Sequence, residues 1–519
     1  MIIIGLLVII ISIVGYFVIV LLVPTTVTET TPITTTVSSV VGEKIMLGDR
    51  INVITPFIYN EKNAYYIEDI GTVSNRWRIE GSYEIENYYL KLVGNNGCSI
   101  AINMAYALTP YRVYKVRLAI TSLNNISKIS LVTEKFKEII SVDIDSTWNV
   151  HTEMLGKPVV NQRSISLAGT NEIEFLFAYT LNALEIFLKR ANIDGDWILL
   201  AQIKSSVLSM FKLYFALEAC NSAIALKEFI VYEIAGTGIR DLRPIYDWSN
   251  GKYSPKSFLK DSEGCMLFFA TAGFYAHQAH VLILRTRDLI HFEPVKTIVI
   301  KQPGYTGQGV MFRWIDGVIH GYLMDWTSSI PPYQGGLHRI IKVELDENFN
   351  VLKIDRVLLI DAPPGGSAGH YDIAIFRFNN TWYAITSSFT GGTILWTMSD
   401  PTIPTLTYLK TIFYSDHENP YISPVISPNN KVQFMLSLAT TMGWHRIYIL
   451  DTEFNPIIYY NMMHYRVWTA GTSFYLDPWY IFIHQDQIPE RRFESGDLGP
   501  GAYIELYKLL TDYRYFIEE

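Results

Sequence analysis

The most constraining feature of this chain is a strand pattern that returns five times between Tyr246 and Tyr515. Each repeat has an apolar strand, a polar turn, an aromatic-rich second strand and a third strand that ends in an acidic turn. A unit of four antiparallel strands needs about 40–50 residues, which is close to the spacing of these repeats. The pattern predicts a five-bladed β-propeller over residues 239–519, with the first strands of all blades around a central pocket.

Composition narrows the class of protein and of partner. A chain of 519 residues is too long for one hydrophobic core, so two or three domains are expected. Its 34 Tyr and 11 Trp, with scattered Gly and Pro, are typical of all-β domains. The net charge of −8 and the lack of a basic run argue against nucleic acid as a partner. Cys98 and Cys220 fall in one predicted domain, where they either pair or remain buried thiols. No Cys or His spacing predicts a metal site.

The amino terminus has the features of a membrane anchor. Residues 1–23 contain no charged side chain, and as a helix they would span about 34 Å, enough to cross a bilayer core. They lack the basic start of a cleavable signal, so we predict an uncleaved single-pass anchor, with a buried core helix as the alternative. Residues 24–44 are Thr-rich and predict an extended stalk. The expected location is the extracellular face of a membrane or a virion surface.

Residues 45–238 alternate apolar and polar side chains and predict a β-sandwich. The turn NIDGDW, starting at Asn192, and the two strands after it resemble the end of a concanavalin A-like jelly roll. This resemblance implies a concave sheet of the kind that often binds glycans. The alternative is a spacer domain that supports the propeller.

The five repeats resemble the propellers of glycoside hydrolase family 43 and of the invertase family. The phrase RTRDLIHFEPV, residues 285–295, is similar to a turn that recurs in those families after the third strand of the first blade. The resemblance implies a general base Asp, a second Asp and an acid Glu, one from each of the first three blades. Alignment on the turns puts Ser254, Gln308 and Asp372 at these positions, which puts the family reaction in doubt.

Other polar residues become candidates when the alignment is shifted. Asp241 and Asp247 precede the first repeat, and Asp416 opens a polar group before the fourth. The alternative interpretation of each polar group is a solvated turn. The alternative for each candidate tryptophan is a packing role between blades. The candidate catalytic residues are Asp372, Asp247 and Glu418, and the candidate substrate-binding residues are Ser254, Gln308, His370, His417, Trp248 and Trp326. A central calcium ion is compatible with the resemblance, and no other cofactor is predicted.

The sequence therefore predicts an all-β protein with an N-terminal transmembrane helix, a jelly-roll sandwich and a five-bladed propeller. Its predicted function is carbohydrate binding at a surface without efficient hydrolysis. An active glycoside hydrolase and a structural or attachment protein of a cell surface or virion are the alternatives. The pattern leaves the glycan and the oligomeric state open.

Overall fold

The computed structural model describes most of residues 44–516. The segments outside its description are 1–43, 55–56, 60–63, 69, 71–75, 87–88, 96, 111, 161, 181–182, 196, 206, 233–234, 238, 273–278, 299, 301–304, 326–338, 363–369, 389–391, 415–416, 441–442, 465–471, 488–501 and 517–519. The predicted anchor, nearly all of the predicted stalk, Asp416 and Trp326 lie in these segments. Among the described residues, no helix has both the length and the apolar character needed to cross a bilayer.

The described residues form an all-β protein, which confirms the predicted class. They contain one short helix, α1 (Val207–Met210). The first strands are β1 Ile45–Ile54, β2 Phe57–Tyr59, β3 Ala64–Ile67, β4 Trp77–Glu80, β5 Ser82–Glu86, β6 Tyr89–Val93, β7 Cys98–Ala107, β8 Arg112–Thr133, β9 Glu138–Ile144, β10 Asn149–Met154, β11 Lys157–Pro158, β12 Ile165–Ser166, β13 Glu172–Thr180, β14 Ala183–Arg190, β15 Ile198–Lys204, β16 Leu213–Tyr232 and β17 Ala235–Thr237.

The remaining strands come from the repeats. They are β18 Arg240–Asp247, β19 Met266–Ala272, β20 His280–Thr286, β21 Glu293–Ile298, β22 Tyr305–Arg313, β23 Ile319–Asp325, β24 Arg339–Leu345, β25 Val351–Arg356, β26 Leu358–Ile360, β27 His370–Phe378, β28 Thr381–Ser388, β29 Gly392–Met398, β30 Thr405–Phe413, β31 His417–Ile426, β32 Val432–Thr440, β33 Trp444–Leu450, β34 Pro456–His464, β35 Thr472–Leu476, β36 Trp479–Gln487, β37 Ala502–Thr511 and β38 Arg514–Tyr515.

Two long strands organise the sandwich. Strand β16 runs antiparallel beside β8, and each strand takes different partners along its two halves. One half carries β13, β14, β15, β6 and β3, and the other carries β9, β10, β7 and β4. Ladder bulges around Ser222, which bend strands, separate the halves. Side chains from both halves share one core, including Phe175 and Leu226 from the first and Leu131 and Leu217 from the second.

A disulfide joins two neighbouring strands of the sandwich near the point where the long strands bend. Cys98 on β7 and Cys220 on β16 are cross-strand partners with their Cα atoms 4.0 Å apart, and their sulfurs are bonded. Of the two alternatives that the sequence left open, the structure has the disulfide. Cys265 is a buried free thiol.

The repeats form five antiparallel units of four strands, which we number as meanders one to five. They are β18–β21, β22–β25, β27–β30, β31–β34, and a fifth unit of β35, β36, β37 and β1. The first strands contact one another in order, from β18 through β22, β27, β31 and β35, and β35 returns to β18. The five meanders therefore close into a ring. Within it, β18 and β22 pair in parallel.

The chain closes this ring with its first strand. Strand β1 pairs antiparallel with β37, and Arg50 Nη1 contacts Glu505 Oε1 at 2.7 Å. The range 45–238 predicted for the sandwich thus begins with ten residues that belong to the fifth meander. The sandwich lies in the sequence between the outer strand of the fifth meander and the inner strand of the first.

Candidate functional site

A buried polar cluster lies where three of the first strands begin. We call it the hub, and it consists of Asp241, Arg243, Asp372 and Asn419. The backbone N–H of Asn419 donates to Asp372 Oδ2 at 2.7 Å, and its side-chain amide donates to Asp241 Oδ1 at 3.3 Å. The Arg243 guanidinium donates to Asn419 Oδ1 and to the carbonyl of Gly309, both at 2.8 Å. Because Gly309 belongs to β22, the hub connects four of the five first strands.

Irregular backbone directs the hub side chains. Asp241, Asp372 and Asn419 have φ values of 55°, 53° and 50°, in the left-handed region that Asp and Asn enter more readily than most residues. Each lies at a register shift of its strand, and such bulges re-aim side chains. In β22 the corresponding irregularity contains Gly309, where a Cβ atom would stand 1.7 Å from the carbonyl oxygen of Tyr322. Only glycine fits this close approach.

The charges of the hub are matched. All four side chains are buried, and Arg240 Nε lies 3.9 Å from Asp241 Oδ2. Burial lowers the pKa of Arg243, and the nearby charges of Asp372 and Asp241 oppose that shift. Two buried carboxylates therefore offset two buried guanidinium groups, and removing one member would leave an uncompensated charge in a water-poor site.

Below the hub, the centre of the ring is nearly filled. A cavity of about 20 Å³ is lined by residues from all five first strands, including Arg243, Tyr246, Tyr421 and Ser473. The hydroxyl of Tyr246 donates to that of Tyr421 at 3.3 Å. A cavity of this size holds about one water molecule, so it does not admit a sugar ring.

Several predicted residues lie at the hub end of the ring. Asp372 is in the hub. The strands β27 and β31 begin at His370 and His417, and Glu418 is the residue before Asn419. Gln308 accepts a hydrogen bond from the Thr306 hydroxyl. His370 is buried with its ring edge-on to Trp396, and its Nδ1 lies 3.4 Å from Thr386 Oγ1. Burial lowers the pKa of His370 to about 4, so this imidazole is neutral at pH 7.

Three other predicted residues lie at the opposite end of the first meander. Asp247 ends β18 and contacts Arg313 Nη2 at 2.7 Å. Burial acts to raise the pKa of Asp247, but hydrogen bonds from Arg313 and Ser249 outweigh it and hold the pKa below its usual value. Trp248 is fully buried against Phe312, and its indole N–H donates to the carbonyl of Ser254 at 2.9 Å. The structure thus separates Asp247, Trp248 and Ser254 from Asp372.

The alignment of Ser254 with Gln308 and Asp372 needs correction. In the first meander, the residue level with Asp372 is Asp241, because β18 begins at Arg240. The alternation that marks surface strands is missing from β18, since seven of its eight residues are buried. The first repeat therefore begins earlier than the pattern predicts. Ser254 lies in a loop, whereas Gln308 and Asp372 lie in first strands.

Arg243 and Asn419 were not among the predicted site residues, and Asp241 was a candidate only under the shifted alignment. Two local signals were available. The phrases RDLRP from Arg240 and HENP from His417 place charged or amide side chains inside strands that are otherwise apolar. Such side chains must find partners when they are buried, so they indicate a polar cluster without indicating its members.

A large open cleft lies at the other end of the ring, between the first and second meanders. Its volume is about 820 Å³, and we call it the cleft. Its lining includes Lys260, Lys296, Arg313, Trp314 and Glu347. The ring of Trp314 is held edge-on by those of Phe312 and Trp382, at centroid distances of 6.0 and 5.8 Å.

A tight turn presents Trp314 and the residue after it. The N–H of Gly317 donates to the Trp314 carbonyl at 3.0 Å, and Gly317 has a φ of 79°, which favours glycine. Ile315, between them, is 67% exposed. The cleft therefore offers a fixed aromatic ring, an exposed apolar side chain and several charged groups.

One group in the sandwich has side chains suited to a divalent cation. Asp143 on β9 and His151 and Glu153 on β10 have ligand atoms within 4.8 Å of one another. Burial raises the pKa of Asp143, and Lys128 Nζ lies 3.7 Å from its Oδ2. Imidazole and carboxylate ligands fit Zn²⁺ or Mn²⁺, although the lysine already supplies one positive charge there.

No protein-family model matches the chain, and no curated protein matches it. Solved structures similar to it include the Lotus tetragonolobus seed lectin, with 9% identity and a TM-score of 0.26 over 32% of this chain and 96% of that one. A legume lectin-like domain from Entamoeba histolytica has 14% identity and a TM-score of 0.25, covering 31% and 90%. The exoplasmic domain of VIP36 has 7% identity and a TM-score of 0.26, covering 35% and 91%. At these TM-scores the likeness carries no functional argument.

Proposed function

We propose that this protein is a membrane-anchored, outward-facing glycan-binding protein whose ring is a five-bladed propeller without hydrolytic activity. The observation that carries the proposal is the contrast between the ends of the ring. At one end the carboxylates are buried and already hydrogen-bonded, and at the other an open cleft presents a tryptophan among charged groups. The closed order of first strands and the glycosidase-like pattern of repeats support the propeller.

Among the residues that the structure describes, the hub does not combine the groups and the space that glycoside hydrolysis needs. The reaction requires a carboxylic acid and a carboxylate at a fixed separation, with space for a sugar and water between them. Asp372 and Asp241 both bind Asn419, and the cavity beneath them holds about one water. Asp247 is six residues along β18 from Asp241, which is about 20 Å in an extended strand. It therefore cannot act with Asp372.

The cleft has the properties of a saccharide site. Its volume lies in the range of about 300–1,000 Å³ that small-molecule sites occupy. Sugar rings pack their C–H faces on aromatic rings while their hydroxyls bind polar groups, and Trp314 with Arg313 supplies both. The contacts of Trp314 with Phe312 and Trp382 restrict its ring before any ligand binds. A fixed ring reduces the entropy that binding would otherwise cost.

Surface display rests on two features. Residues 1–23 are long and apolar enough to span a bilayer, and a Thr-rich segment follows them. The disulfide between Cys98 and Cys220 favours an oxidising compartment. Digestion of intact cells or particles with an external protease tests this part, and protection of the sandwich and ring from cleavage would contradict it.

The test of the proposed function measures binding and turnover on a glycan panel with the full-length protein in detergent. We expect binding without release of reducing ends. Trp314→Ala should weaken binding at least tenfold, whereas Trp479→Ala, at another exposed tryptophan outside the cleft, should not. Release of sugar would establish a hydrolase. Failure of the whole panel to bind would favour the structural or attachment protein.

A further inference from the structure

The charged groups of the cleft fall into two sets. In the first set each group already has a partner of opposite charge. Arg313 holds Asp247 through two contacts of 2.7 and 3.3 Å. Asp261 Oδ2 accepts a hydrogen bond from Arg285 at 3.2 Å. Arg285 also contacts Glu263 and Glu293, so Asp261 shares its cation with two other carboxylates.

The second set contains two lysines. Lys260 is exposed, and among the described residues it has no ion pair. Lys296 is half-buried and donates to the neutral Asn350 side chain at 3.2 Å. Lys296 also attracts the Asp346 carboxylate, which is already bound by Asn350. Both ammonium groups therefore keep capacity for an anionic ligand.

One carboxylate also lines the cleft, and it has no ion pair with any residue that the structure describes. Glu347 is exposed, at the turn between β24 and β25, where an exposed carboxylate is well hydrated. Lys296 is less exposed than Glu347, so its interaction with a ligand is less screened by water. The charged side chains that line the cleft are three cations, Lys260, Lys296 and Arg313, and two anions, Asp261 and Glu347, so their sum is one positive charge.

We propose that the cleft binds an acidic saccharide, with the carboxylate of a uronic acid residue held by Lys260 and Lys296 and a sugar face packed on Trp314. This inference rests on the proposed function and names the glycan class for it. The ammonium groups bind the carboxylate through charge-assisted hydrogen bonds, which are about twice as strong as neutral ones. The aromatic ring accepts the C–H face of the same or the next sugar.

The experiment titrates the full-length protein with oligogalacturonate, oligoglucuronate and oligomannuronate, and with the matching neutral oligosaccharides. At least one acidic ligand should bind at least tenfold more tightly than its neutral counterpart. The double variant Lys260→Gln/Lys296→Gln should remove this preference, so that acidic and neutral oligosaccharides bind with similar affinity. Lys410→Gln, which removes a half-buried lysine on another meander, should change neither. The preference should also shrink between about 50 and 300 mM salt.

The possible results separate the two proposals. Equal binding of acidic and neutral saccharides, lost in Trp314→Ala and unchanged in the lysine variant, would overturn the inference and leave glycan binding in place. Acidic preference that survives in the lysine variant would overturn the assignment to these side chains. Binding of no saccharide would remove both the inference and the proposed function.

Discussion

Each end of the ring has an arginine whose charge interacts with that of an aspartate, but one arginine is buried and the other is partly exposed. At the hub, Arg243 is buried, and its guanidinium donates to the Asn419 side chain and to the carbonyl of Gly309. At the cleft, the Arg313 and Asp247 side chains are 39% and 24% exposed. Burial makes the first arrangement costly to disturb and unable to take a ligand. Exposure makes the second weak for stability and accessible to solutes.

The largest effect that distinguishes the ends should come from Arg243→Met. This change removes the buried guanidinium whose charge offsets those of Asp372 and Asp241, and it leaves Asn419 Oδ1 and the Gly309 carbonyl without their donor. Loss of such a buried charge partner costs about 3–5 kcal/mol. We expect a clear fall in the urea midpoint, measured by tryptophan fluorescence. Asp512→Ala, at an exposed position, is the control and should leave the midpoint unchanged. A variant as stable as the parent would show that the hub charges are not coupled.

The second effect concerns pH. His370 has a pKa lowered by burial to about 4, whereas its pKa in the unfolded chain is near 6.5. The unfolded chain therefore binds more protons between these values. The contribution of the neutral, buried His370 to the free energy of unfolding is complete above about pH 6.5. It is lost as the pH falls towards 4, by on the order of 2–3 kcal/mol.

Thermal unfolding of His370→Asn across pH 4–7.5 measures this effect. The variant should show a flatter loss of stability with acid than the parent. His464→Asn, at an exposed side chain, should keep the parental slope. Identical slopes for all three proteins would place the acid sensitivity elsewhere.

The smallest effect should come from Arg313→Gln at the cleft. Its pair with Asp247 is partly exposed, and such pairs contribute about 0.2–1 kcal/mol. We expect the free energy of unfolding, derived from the urea midpoint, to lie within about 1 kcal/mol of that of the parent. A loss as large as that of Arg243→Met would remove the distinction between the two ends.

Much of the fold was predictable from local pattern. Five returns of strand and turn predicted five meanders, because each meander needs its own alternation and its own turns. The alternation of residues 45–238 predicted a β-sandwich, but it did not predict that β8 and β16 each continue as one long strand. These elements depend on neighbours in sequence, which a pattern shows directly.

The limits of the first repeat were not predictable in the same way. Strand β18 is buried along nearly its whole length, so it has no alternation to mark it. Strand β1 alternates like a sandwich strand, yet it completes the fifth meander. Its ion pair from Arg50 reaches Glu505, which is 455 residues later. Only closure of the ring decides that partnership.

The candidate site divides along the same line. The sequence by itself determined the strands, the turns and the polar residues that burial would require to be paired. Only the tertiary structure decided that Arg243 meets Asn419 from 176 residues away, and that Asn419 meets Asp372 and Asp241. The physical reason is that a local pattern fixes which face a side chain occupies. The partner that satisfies a buried charge is fixed by which strands the closed ring brings together.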